Sequence, residues 1–376
     1  MDISFKFDPE IKIGADTLSM AGTICSRYGQ HVMVAADHSL DTETINRLKE
    51  ILEDSGVEAI VFDGIEDDSP VGMAENIVEL LKAAHCNAVV GFGGRKAQII
   101  ARMAAIMAPM RISAFELLDG RMFQNKFLPL VAIPTEGLDA FSLTEFFVAP
   151  DPRNGLIKSI RSPDDLYAAV IVDSNLQKFS SGKVTAGFLF DGFLAAAEAY
   201  CSTKANFLSD ALLERALSFF AKLLKSNPDD INTDIYAQAS FLTSLGNSAS
   251  SPGAGSVLAY AVNARFPVPK QLCSAALLPF IAEKLASSRP EKMARAASLL
   301  SNTGNAPSVA EAANSAAESI RRCMEGFNLQ PDLKEHNIPL DRITAAVEAA
   351  RNLEFVANSP WTVSEEDVFE IFRRML

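Results

Sequence analysis

From its N-terminus the chain alternates short apolar runs with stretches in which apolar residues recur every three or four positions. The runs are "HVMVAAD" (31–37), "EAIVFDG" (58–64), "NAVVGFGG" (87–94), "LPLVAIPT" (128–135) and "YAAVIVD" (167–173). Their length and apolar content predict buried strands. Between them, "TETINRLKEILEDSG" (42–56), "GMAENIVELLKAAHC" (72–86) and "KAQIIARMAAIMA" (96–108) carry helical spacing. Strands alternating with helices predict a parallel sheet covered by helices. From about residue 180 the strand signal stops, and helical patterns occupy 185–201, 207–225, 233–250, 271–287, 291–302, 307–325, 340–351 and 364–374. The expected architecture is an α/β domain over 1–180 followed by an all-helical domain over 181–376.

Composition narrows this picture without changing it. The chain has 376 residues, 48% of them hydrophobic and 22% charged. That is ordinary for a soluble globular protein and longer than one typical core, so two domains are the default. No run approaches the ~18 uninterrupted apolar residues of a membrane span, and "MDISFKFDPEIKIG" is too polar and acidic for a signal peptide. The five cysteines are odd in number and lack a CxxC pair, which reads as reduced thiols in a cytoplasmic protein. A net charge of −13, with no basic patch to offset it, argues against a nucleic-acid or anionic-membrane partner.

Two short stretches carry candidate chemistry. "VVGFGGRKAQIIARMAA" leads from a strand through a glycine turn into a helix, where backbone N–H groups and the helix dipole favour an anion. Its spacing is GxGG rather than GxGxxG, and a turn that binds nothing reads equally well. Upstream, Asp37 closes its strand, either as a solvated residue or as an acceptor for the ribose 2′-OH of NAD. The second stretch, "FLFDGFLAAAEAYCS" (188–202), has one acid, Asp191, at its start, with Ala195 at i+4 and Glu198 at i+7. A lone carboxylate in so apolar a helix requires a partner, because a bare buried charge costs several kcal/mol or is neutralised.

Together "VVGFGGRKAQIIAR", "AIPTEGLDAFSLTEFFV" (132–148) and "FDGFLAAAEAYCSTKANFLSDALLERAL" (190–217) resemble the iron-containing alcohol dehydrogenases. The last is similar to that family's D-A-x-x-H-A-x-E-A-Y helix, followed by S-D-A-L. "VFDGIE", "AVIVDSNL", "PVPKQLCSAALLPFIAEK" and "NSPWTVSEEDVFEIFRRML" extend the likeness along nearly the whole chain. The resemblance implies a dehydroquinate synthase-like fold: a dinucleotide-binding α/β domain and a helical metal-binding domain, with the active site in the cleft between them. It also implies a small-molecule alcohol or carbonyl substrate, NAD, and a homodimer.

The departures fall on the chemistry. The family holds a divalent ion with one aspartate and three histidines. Asp191 matches the aspartate, whereas the histidine positions fall on Ala195, Ser256 and Lys270, and a further histidine near the substrate falls on Tyr260. The four histidines are His31, His38, His85 and His336, so none lies between 86 and 335, and no bound metal is expected. The family's G-G-G turn becomes Gly93-Gly94-Arg95. Its P-T-T-x-x-T-G-S-E or P-T-x-x-S-x-D loop becomes Pro134-Thr135-Glu136-Gly137-Leu138-Asp139. The resemblance places Asp37, Gly93, Gly94, Arg95, Lys96, Thr135 and Lys158 at the cofactor, and Lys270, Asp191, Tyr260 and Asp139 at the chemistry. Lys270 is expected to pair with Asp191 and place an ammonium where the ion would act, with Tyr260 as proton donor. Two main readings remain open, with metal-dependent alcohol dehydrogenase activity through unusual ligands as a third. One is a metal-independent, NAD-linked reductase; the other is a non-catalytic nucleotide-binding or assembly protein on the same fold.

Overall fold

The computed structural model describes residues 5–65, 70–121, 126–177, 182–228, 230–301, 308–330, 333 and 338–375. His336 and the boundary expected at 180/181 lie outside them. The chain forms two compact units. Met1–Leu138, Glu145–Pro152 and Lys158–Lys178 make the first, and Asp139–Thr144, Arg153–Ile157 and Phe179–Leu376 make the second.

The first unit contains β1 (Glu10–Gly14), α1 (Ala21–Cys25), β2 (His31–Asp37), α2 (Thr42–Glu53), β3 (Glu58–Ile65) and α3 (Pro70–Ala83). β4 (Ala88–Gly93), α4 (Arg95–Met110), α5 (Ala114–Leu118) and β5 (Leu130–Pro134) follow, then β6 (Phe146–Asp151), β7 (Leu156–Arg161) and β8 (Tyr167–Asp173). Six strands form one parallel sheet in the order β1-β8-β5-β4-β2-β3. The central strands β4 and β5 are buried at every position, which is why they read as continuous apolar runs. Val34, Val90, Phe92, Val131, Ile133 and Ile171 belong to the core cluster around this sheet.

Three strands were not legible from periodicity. β1, "EIKIG", is a five-residue edge strand with every residue only half buried. β6 and β7 pair with each other in a separate two-stranded ribbon.

The second unit begins its long helices with α6 (Gly182–Cys201), α7 (Phe207–Leu223), α8 (Thr233–Ser248), α9 (Ala254–Arg265) and α10 (Lys270–Ser288). It continues with α11 (Pro290–Leu300), α12 (Val309–Asn314), α13 (Ala316–Gly326), α14 (Leu340–Arg351) and α15 (Glu365–Met375). α9 lacks a polar face, because residues 254–262 are all buried, and so it gives no amphipathic signal. The single helix expected over 307–325 is instead two, α12 and α13, which meet at Ser315. α6 is long and apolar enough to cross a bilayer, but 83% of its most apolar window is buried inside the protein. It is a central core helix, packed against α7, α8, α9 and α10.

One glycine permits that packing. A Cβ on Gly192 of α6 would lie 2.2 Å from Cζ of Phe220 on α7, and Phe220 is fully buried. Gly192→Ala is expected to destabilise the protein by about 1–3 kcal/mol, the usual cost of overpacking a filled core. Urea denaturation measures it, and an unchanged midpoint would mean that the Phe220 ring turns aside freely.

Candidate functional site

The helical unit holds a buried chain of polar side chains. Lys270, the first residue of α10, donates from Nζ to both oxygens of Asp191 on α6, at 2.6 Å to Oδ1 and 2.8 Å to Oδ2. The two side chains are only 1% and 10% exposed. An ammonium at a helix N-terminus opposes the helix dipole, so the carboxylate facing it is what makes Lys270 tolerable there. The ammonium also lies 5.0 Å from the ring centroid of Tyr260 on α9, within cation–π range. The Tyr260 hydroxyl donates in a short hydrogen bond to Oδ2 of Asp139. Asp139 Oδ1 in turn accepts from the Phe141 N–H at 3.0 Å and the Ser142 hydroxyl at 2.9 Å. Phe141 meets Tyr260 edge to face, with ring centroids 5.4 Å apart. Asp191, Lys270, Tyr260 and Asp139 are therefore brought into one row.

A second buried carboxylate borders this row. Glu198 lies two turns along α6 from Asp191. It accepts the N–H of Gly255 at 2.5 Å and both the N–H and the hydroxyl of Ser256 at 2.9 and 2.8 Å. The N-cap of α9 is Gly253, which has no side chain to cap it, so Glu198 satisfies its free N–H groups from another helix. Gly253 must be a glycine for this, since a Cβ there would lie 2.5 Å from both Cβ and Cδ of Glu198. Burial pushes the Glu198 carboxyl up, while the bonds from Gly255 and Ser256 and the charge of Lys270 pull it down. The sequence signal for this role was present in the i, i+7 spacing of Asp191 and Glu198 and in the G-A-G start of α9, but the role itself was missed.

The chemistry of these side chains does not suit a metal ion. Of the four positions that resemble the family's ligands, Asp191 is committed to an ammonium, Ala195 has no donor atom, Ser256 donates to Glu198, and Lys270 carries the charge that a cation would meet. Among the described residues no group of three or more His, Cys, Asp or Glu is arranged to hold an ion.

In the α/β unit the glycine turn joins β4 to α4. Gly93 has φ 141°, and a Cβ there would lie 2.3 Å from the Cβ of Asp37, so only glycine fits. Three hydrogen bonds fix the turn. Gln98 donates from Nε2 to the carbonyls of Gly91 and Gly93 at 2.8 and 3.2 Å, and the Thr135 N–H donates to the Gly93 carbonyl at 3.1 Å. Asp37 Oδ1 accepts the N–H and hydroxyl of Ser39 at 3.0 and 2.8 Å. Burial pulls Lys96 down, countered by the charges of Asp37 and Glu136. Asp37, Gly93, Gly94, Arg95, Lys96 and Thr135 thus gather around one turn, whereas Lys158 lies on β7, in the separate ribbon. Glu136 was not among the expected site residues, yet its Oε2 accepts the Arg95 N–H at 3.3 Å. Its signal was a carboxylate inside a loop that resembles P-T-T.

The Lys270–Asp191 pair has a measurable consequence. Lys270→Met leaves a buried carboxylate uncompensated and is expected to cost about 3–5 kcal/mol. Asp191→Asn combined with Lys270→Met should recover part of that loss. Chemical denaturation of the single and double variants tests both, and a neutral Lys270→Met would show that the pair does not carry Asp191.

Residues 8–174 match the family model for iron-containing alcohol dehydrogenases, and residues 185–376 match that for the C-terminal region of the Fe-containing alcohol dehydrogenase family. A choline dehydrogenase of Bacillus subtilis is 25% identical over 86% of this chain and 82% of its own length. A 1,3-propanediol dehydrogenase of Citrobacter freundii is 22% identical over 96% and 95%. Among solved structures, an archaeal halo-thermophilic alcohol dehydrogenase from a Red Sea brine pool superposes with a TM-score of 0.90 at 21% identity, covering all of both chains. A sulfoacetaldehyde reductase of Bifidobacterium kashiwanohense in complex with NAD+ gives 0.83 at 18% identity, covering 100% and 99%. These structures share the fold, and the two family matches between them take in both halves of the sequence: the chain belongs to the iron-containing alcohol dehydrogenase family.

Proposed function

We propose that the protein is an NAD-linked oxidoreductase that interconverts a small alcohol and its carbonyl compound without a bound metal. The observation that carries this reading is the row Asp191–Lys270–Tyr260–Asp139, which puts an ammonium and an acid–base hydroxyl at positions resembling those of the family's ion and substrate. The proposed substrate class rests on relatives named as dehydrogenases of choline and 1,3-propanediol and as lactaldehyde reductase. The strand–turn–helix around Gly93 and Gly94 suits a dinucleotide's pyrophosphate in its backbone, and Asp37 favours NAD over NADP because a 2′-phosphate would meet its carboxylate. A bound dinucleotide supplies or accepts the hydride.

The chain's own residues then handle charge and protons. In alcohol oxidation Tyr260 accepts the hydroxyl proton of the substrate and passes its own to Asp139 Oδ2, the direction in which that hydrogen bond already points. The Lys270 ammonium stabilises the developing alkoxide, as preorganised positive charge does in a water-poor site. Asp191 orients the ammonium and sets its limit. The pair is neutral overall, whereas an ion with one aspartate and three neutral histidines would be net positive, so a slower reaction than the metal-dependent relatives' is expected. In reduction Tyr260 gives its proton to the alkoxide and recovers one through Asp139. The reading also carries a homodimer and a cytoplasmic location.

One observation favours the second reading, a non-catalytic nucleotide-binding or assembly protein: Asp191, which resembles a family ion ligand, is bonded to Lys270, and Glu136 is bonded to the glycine turn. One set of measurements separates the two. Purified protein is expected to hold no stoichiometric iron, zinc or nickel. It should bind NADH more tightly than NADPH and oxidise or reduce small alcohols and aldehydes in the presence of a chelator. Tyr260→Phe should lower kcat by about 10²-fold or more, and Lys270→Met should do likewise. A stoichiometric transition metal ends the metal-free mechanism. Activity that survives Lys270→Met ends the role of the ammonium. NADH binding without turnover of any alcohol or aldehyde selects the non-catalytic reading.

A further inference from the structure

A helix N-terminus presents N–H groups that lack helical partners and the positive end of a dipole, which is why strand-to-helix turns hold phosphates. At α4 a side chain of the protein already makes use of that end. Glu136 follows the last strand residue by two positions and turns its carboxylate back onto the turn. Its Oε2 accepts the Arg95 N–H at 3.3 Å. Independently of that bond, a Cβ built on Gly94 would lie 2.4 Å from both Cδ and Oε2 of Glu136. The carboxylate therefore rests directly on the bare α-carbon that lets an outside group approach the backbone. Burial pushes the Glu136 carboxyl up, the Arg95 N–H and charge pull it back, Asp37 raises it and Lys96 lowers it. Two carboxylates and two cations thus share the turn, and its formal charge is balanced with Glu136 in place.

We infer that Glu136 is a built-in occupant of the pyrophosphate seat and sets the protein's affinity for its dinucleotide. A pyrophosphate reaches the N-terminus of α4 only when the Glu136 side chain swings off Gly94, because phosphate and carboxylate need the same donor and repel each other. With Glu136 made neutral, the turn loses one negative charge beside Arg95 and Lys96 and repels an incoming anion less. The inference rests on the proposed dinucleotide use for its biological meaning, but its physical core is competition between two anions for one helix end.

The test is calorimetry on the full-length protein, with inorganic pyrophosphate and NADH as separate probes. Wild type is compared with Glu136→Gln, which keeps shape and removes charge, and with Glu136→Thr, which also removes length. Both variants are expected to bind pyrophosphate and NADH about tenfold more tightly or better. Thermal melting confirms that each is folded, and the second variant serves if the first is not. Tighter pyrophosphate binding with no NADH binding by any of the three proteins supports the role of Glu136 and removes the NAD reading. Unchanged or weaker pyrophosphate binding in a folded variant overturns the role of Glu136. If NADH binds wild type and variants equally, the role of Glu136 also falls, while the NAD reading stands.

Discussion

The helical unit is organised by the need to pair a buried carboxylate. Asp191 sits on the central helix α6, where most of the surface is covered by other helices, and an unpaired charge there would cost several kcal/mol. Lys270 reaches it from the first turn of α10 with two short hydrogen bonds. That contact ties the first residue of α10 to α6. It also sets Lys270 over the Tyr260 ring and adds positive charge near Glu198, whose carboxylate serves as the cap that α9 lacks. Acids carried by α6 thus cap the start of α9 and anchor the first side chain of α10.

The same physical theme recurs in the α/β unit with the sign reversed. There the unsatisfied group is the N-terminus of a helix, and the anion that meets it is Glu136. In each unit, a position that resembles a family binding site for an external charged group is satisfied by a side chain of the chain itself. The metal-free chemistry proposed for Lys270 and Tyr260 and the proposed role of Glu136 both follow from that substitution. An internal charge is tethered to its site and costs no association entropy, so an external ion or phosphate must overcome it before binding.

Much of this could be read before any coordinates. β2 and β8 span the residues that the apolar runs marked, and α14 those that the helical spacing marked. Buried parallel strands and amphipathic helices write their burial directly into local pattern. The Lys270–Asp191 contact was also accessible, because both residues occupy positions that resemble ligands of one ion and therefore start from neighbouring backbone sites. β1, the β6–β7 ribbon and α9 left no comparable trace. The edge strand is half buried throughout, and α9 is buried on all sides, so neither has one apolar face set against a polar one.

Local pattern and residue identity thus determined the alternating strands and helices of the central sheet, the α/β-then-helical architecture, and the absence of histidine from the middle of the chain. Tertiary structure decided what the remaining acids do. Glu198 as the cap of α9, Glu136 at the start of α4 and Asp139 as the acceptor for Tyr260 are hydrogen bonds between residues 57, 41 and 121 positions apart in sequence. A carboxylate looks the same in sequence whether water or a helix end satisfies it. Only the folded backbone, by bringing a particular donor within about 3 Å, selects between the two.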